Sequence, residues 1–98
     1  MYKAEFSING WAGVETHTVC GENASELLAD IATYQDLDCL VRMGQGHETG
    51  EGKAGLKKLT AILRKDENGT LTIEDLSGLS IKLSVGTISI SEIRETNE

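Results

Sequence analysis

Proline is missing altogether from these 98 residues, which excludes proline-rich ligand segments and stiff proline linkers. Aromatic side chains are almost as scarce. Tyr2, Phe6, Trp11 and Tyr34 are too few to stack a run of unpaired bases, so a single-strand nucleic-acid platform is not expected. Cysteine occurs only at Cys20 and Cys39, and no apolar run follows Met1–Glu5. A disulfide framework is therefore not expected, and the pair reads as free thiols, small and buried, in a reducing cytoplasm. The tripeptides Asn23-Ala24-Ser25 and Asn68-Gly69-Thr70 have the form of glycosylation acceptors but read as local cap and turn residues. No apolar run approaches the roughly 20 residues that cross a bilayer, which leaves a soluble chain without a membrane partner. Positive charge is in short supply too. Nine bases face sixteen acids for a net charge of -7, which opposes direct binding of nucleic acid and favours a basic protein partner.

What is present suffices for one domain, residues 1–98. Hydrophobic residues make up 39% of the chain, enough for a core, but so short a chain buries only about 60 to 65% of its unfolded surface and gains from association with its own copies. Tyr2, Ala4, Phe6 and Ile8 alternate with polar residues and predict a strand. Asn9–Gly13 turns it into a second strand over Val14–Cys20, with Trp11 at the tip of the hairpin. Asn23 and Glu26 bracket a helix start, and Leu27, Leu28, Ile31 and Tyr34 follow at helical spacing, so a helix is expected over Ala24–Tyr34. Leu37, Cys39, Val41 and Met43 suggest a strand, which Leu40 interrupts in a way a helix would explain. Five glycines between Gly44 and Gly55 read as a long, exposed, flexible loop. Alternation over Leu59–Arg64, a turn at Asp66–Gly69, and strands over Thr70–Glu74, Leu79–Val85 and Thr87–Ile93 complete a meander. A helix over Leu56–Arg64 competes with the first of these, and the tail from Arg94 to Glu98 is expected to fray. The fold expected is α+β, an N-terminal hairpin, one amphipathic helix and a C-terminal antiparallel meander in one sheet or partly closed barrel. Strands with serine and threonine on their outer faces leave edges that a homo-oligomer would close.

Motifs for catalysis are not found, and no catalytic residue, cofactor or metal is expected. A phosphate-binding loop ending at Gly52-Lys53 would need glycine at position 47, where His47 stands, and a hydroxyl after Lys53, where Ala54 stands. Asp66–Thr70 opens like a calcium loop, but Leu71 occupies the glycine position and Ser77 the bidentate glutamate. His17, Cys20, Cys39 and His47 have no zinc spacing, and His17 and Cys20 fall on opposite faces of one strand. The acidic pairs Asp66/Glu67 and Glu74/Asp75 sit at turns, where such residues are ordinary.

Charge is uneven along the chain. From Met1 to Val41 only Lys3 offsets the acids, so Glu15, Glu22, Glu26, Asp30, Asp36 and Asp38, with Trp11, are the candidate surface for a basic partner. The profile of a short acidic chain without a catalytic motif is similar to accessory and inhibitory proteins of phages and mobile elements. It implies a non-enzymatic binding or inhibitory protein that competes with nucleic acid for its partner. The alternative lies in the basic middle of the chain. Gly50 and Gly52, followed by Lys53, Lys57 and Lys58, would let backbone amides and ammonium groups hold a small anion such as a nucleotide.

Overall fold

The computed structural model describes residues 1–10 and 12–97; Trp11, the candidate at the hairpin tip, lies outside the described residues, as does Glu98. Strands β1 (Tyr2–Gly10) and β2 (Gly13–Gly21) pair along their whole length, from Tyr2 opposite Gly21 to Gly10 opposite Gly13. The period-two pattern of β1 works as expected: Ala4 and Phe6 are buried, while Lys3, Glu5 and Asn9 are exposed. Helix α1 (Ala24–Ala32) follows, two residues shorter than the sequence suggests. The Asn23 side chain accepts the Glu26 amide at 2.9 Å, and Ala24, Leu27, Leu28 and Ile31 are buried.

Two expectations fail in the middle of the chain. Leu37–Met43 is no strand but part of helix α2 (Leu37–Gly44), started by Asp36, whose side chain accepts the Cys39 amide at 2.9 Å. Leu37, Val41 and Gly44 are buried at helical spacing, with Leu40 half-buried beside them, so the residue that spoiled the strand pattern belongs to the helical one. The glycine-rich loop is also shorter than expected. It ends at Gly50, and helix α3 (Glu51–Glu67) absorbs Gly52 and Gly55; over Leu56–Arg64 the helix is the reading observed, and the strand over Leu59–Arg64 does not form. Its buried line is Gly52, Gly55, Leu56, Leu59 and Ile62. Gly55 lies so close to the sheet that a β-carbon would stand 2.5 Å from the Lys82 carbonyl oxygen. Glycine here permits a close helix–strand approach instead of breaking the helix, at a helix-propensity cost of about 1 kcal/mol.

Thr70–Glu74 is not a strand either. Thr72 caps the short helix α4 (Ile73–Leu76): the Asp75 amide donates to the Thr72 hydroxyl, and the Thr72 amide donates to the Asp75 carboxylate at 2.9 Å. Strands β3 (Ser80–Leu83) and β4 (Gly86–Ile90) then form a hairpin. Arg94 and Glu95, instead of fraying, form β5 (Arg94–Glu95) against Lys3 and Tyr2.

The fold is α+β, with one open antiparallel sheet in the order β2-β1-β4-β3 and β5 continuing beside β1. Phe6 lies opposite Ile90, Ile8 opposite Ile88, and Ile81 opposite Ile88, so one face of the sheet is apolar across β1, β4 and β3, while on β2 Val19 continues it and His17 and Glu15 do not. α1 packs on β2 and β1 on that face, α3 packs against β3, and α2 packs on α3. Phe6, Leu27, Ile31, Leu59, Leu76 and Ile81 are the fully buried centre of the core. Among the described residues no helix is long and apolar enough to cross a membrane.

Candidate functional site

Helix α3 lays Lys53, Lys57, Thr60, Ala61 and Arg64 along one side of an open groove of about 630 Å³. Their spacing of three to four residues is that of one helix face, so the row from Lys53 to Arg64 runs about 16 Å. Val41 and Gly44 of α2 and Gln45 and Gly46 of the following loop form the other side, and the buried Leu56 forms the floor. Among the described residues Lys53, Lys57 and Arg64 have no carboxylate within ion-pair distance, whereas Arg42 pairs with Asp38, Lys65 with Asp75 at 2.7 Å and Lys82 with Glu51 at 3.1 Å.

One acid lines the groove, Glu48, and its carboxylate is already engaged. The Ser84 amide donates to it at 3.1 and 3.2 Å and the Ser84 hydroxyl donates to Oε1, which ties the α2–α3 loop to the β3–β4 turn. Gly52 makes this possible, because the Glu48 carboxylate occupies the space that a β-carbon at position 52 would fill. Gly52 is thus a packing residue and not a backbone cradle for a ligand. Gly50, with φ of 58°, sits at the helix start, in the left-handed region that glycine enters without strain. Of the residues expected to hold an anion, Lys53 and Lys57 reach the groove, while Lys58 does not line it. Arg64, outside the residues expected to hold an anion, lies on the same wall; the signal for that is the continuation of the lysines' helical spacing past the glycines.

The acidic candidates are placed differently. Glu26 accepts the Glu22 amide at 2.6 Å, Asp30 accepts the Cys20 amide at 3.0 Å, and Asp36 caps α2. Asp38 pairs with Arg42 one helical turn away, and that hydrogen bond raises the Arg42 pKa above its ordinary value. Glu22 lies 3.8 Å from the N-terminal ammonium and Glu15 lies 3.6 Å from the His17 imidazole. Glu26, Asp30 and Asp36 thus hold backbone amides, the other three lie beside cationic or imidazole groups of the chain, and all six are dispersed over β2, α1 and the start of α2.

Other sequence candidates resolve simply. Cys20 is exposed on the polar face of the sheet and Cys39 half-buried, so the expectation of two buried thiols is corrected; both are free. His17 is half-buried and stacks on Tyr34 with ring centroids 4.0 Å apart. Among the described residues no three His, Cys, Asp or Glu side chains gather as a metal-binding set. No family model, curated protein or solved structure matches this chain.

Proposed function

We propose that this protein is a non-enzymatic binding protein whose α2–α3 groove holds a nucleotide-sized organic anion through Lys53, Lys57 and Arg64. One observation carries the reading: among the described residues, three cations without a carboxylate partner share one wall of a groove whose one acid, Glu48, is turned to Ser84. The volume, about 630 Å³, is of the size that small-molecule sites have. Lys53 stands in the first turn of α3, where the helix dipole adds to its charge, so this end suits phosphate. Leu56, Val41 and Ala61 give the carbon skeleton an apolar surface, and Arg64 provides a planar cation at the far end.

The reading of an acidic surface for a basic partner has less behind it, because Glu26, Asp30 and Asp36 are used on the chain's own amides and Asp38 on Arg42. Calorimetry and thermal unfolding with adenosine triphosphate and with inorganic phosphate test the groove. Nucleotide should raise the melting temperature with concentration, by the equivalent of about 2.7 kcal/mol at a hundredfold excess over Kd. The combined Lys53→Ala, Lys57→Ala and Arg64→Ala variant should lose the effect, and Lys58→Ala should keep it. No shift with either probe, or equal loss in Lys58→Ala, overturns the proposal.

A further inference from the structure

The two edges of the sheet are treated unlike each other. β3 is four residues long, carries Lys82, and has its outward Lys82 carbonyl pressed against α3 at Gly55. β2 is nine residues long and pairs with β1 in one unbroken register without a bulge. It contains neither lysine nor proline, the residues that ordinarily blunt an exposed edge.

The direction of its free groups follows from one hydrogen bond. The Cys20 amide turns away from β1 to reach Asp30. Outward-facing residues alternate along an antiparallel edge, so Val14, Thr16 and Thr18 also point their N–H and C=O groups away from β1. Asp30 closes the edge at Cys20 and leaves Gly13–Thr18 open. These residues are exposed except for the half-buried His17, and Val14 retains 66% of its accessible surface.

We propose that this edge pairs antiparallel with the same edge of a second copy, about a two-fold axis at Thr16, to make one sheet through both chains. Charge selects the register. An axis at Glu15 would set Glu15 against its own copy, and an axis at His17 would set His17 against its own copy and Glu15 against Val19. With the axis at Thr16, Thr16 meets Thr16, Val14 meets Thr18, and each Glu15 stands opposite the partner's His17. Like charges directly across an antiparallel pair oppose it, whereas a carboxylate opposite an imidazole can accept its N–H and gains charge attraction when the ring is protonated. The partner is a second copy of this chain, because in this register β2 sets each Glu15 against a complementary His17 and matches the stretch Gly13–Val19 with itself.

Light scattering over a wide concentration range should give twice the 10.6 kDa mass of one chain. Thr16→Pro removes an outward amide and one surface hydroxyl contact, to Ser7 at 3.1 Å, and leaves the backbone ladder to β1 intact, so the variant should keep its circular dichroism and become monomeric. Glu15→Lys, which sets lysine opposite histidine, should raise the dimer Kd about tenfold. Hydrogen exchange supplies a readout that needs no variant: the amides of Val14, Thr16 and Thr18 should be protected when concentrated and exchange freely on dilution. A monomer at every concentration, or a dimer that survives Thr16→Pro, overturns the edge pairing. An unchanged Kd in Glu15→Lys overturns the register.

Discussion

At the β2 end of the sheet, charged side chains serve the backbone: Asp30 takes the Cys20 amide, Glu26 the Glu22 amide and Asp36 the Cys39 amide. At the β3 end, small residues do the corresponding work. Gly55 lets α3 close over the strand edge and Gly52 makes room for Glu48, the one groove carboxylate, which takes the Ser84 amide, while Lys53, Lys57 and Arg64 have no carboxylate partner among the described residues. A carboxylate accepting an amide still carries its charge, but its position is fixed by the fold and its lone pairs are partly used. A lysine without an internal partner keeps its donors for a ligand. Local engagement, and not the count of acids and bases, separates the two ends.

The largest effect expected from breaking this contrast is at Gly55. A β-carbon meets the Lys82 carbonyl, a backbone group that cannot swing aside, so Gly55→Ala should destabilise by about 1 to 3 kcal/mol despite alanine's better helix propensity. Urea unfolding measures it; a neutral or stabilising alanine would show that α3 does not depend on the close approach. A smaller loss is expected at the other end. Asp36→Ala removes the cap of α2 and should cost about 1 kcal/mol, while Lys53→Ala and Lys57→Ala should stay within about 0.5 kcal/mol of the parent. Equal losses in all three variants would erase the distinction between engaged and free charges.

The smallest effect is confined to acid. The Lys65 ammonium, with the Thr72 amide and hydroxyl, pushes the Asp75 carboxyl down from 3.8 to about 2. A carboxyl depressed in the folded state stabilises the fold above its unfolded value near 3.9 and loses that contribution as pH falls from about 4 to about 2. Lys65→Ala should return Asp75 toward its ordinary value and flatten the fall in stability across that window. Carboxyl NMR titration with urea unfolding at each pH measures both, and an ordinary Asp75 titration in the parent would remove the effect.

Much of the sheet was legible because its signals are local. The alternation of Tyr2–Ile8, the turn glycines and the Asn23 cap gave β1, β2 and α1, and the alternation around Ile81 and Ile88 gave the second hairpin. The misreadings have physical causes. Thr72 and Asp75 form a cap that was overlooked inside a stretch of β-favouring residues, and Asp36 was another ahead of α2. Gly52 and Gly55 carry the propensity of a loop, yet their lack of side chains is what the packed helix requires. Of the candidate residues, the clustered Lys53 and Lys57 both line the groove. Lys58 does not line the groove and Arg64 does, a sorting by helix face that a stretch read as a loop could not supply.

The sequence by itself determined an acidic α+β chain with an apolar sheet face, because charge adds residue by residue and a strand's two-residue period is written locally. Only the tertiary structure decided which charges are engaged, that α3 covers one sheet edge and leaves the other open, and that a basic row faces a groove. Those outcomes depend on contacts between residues far apart in the chain, such as Glu48 with Ser84 and Gly55 with Lys82, and no local pattern encodes a distance between segments until the core brings them together.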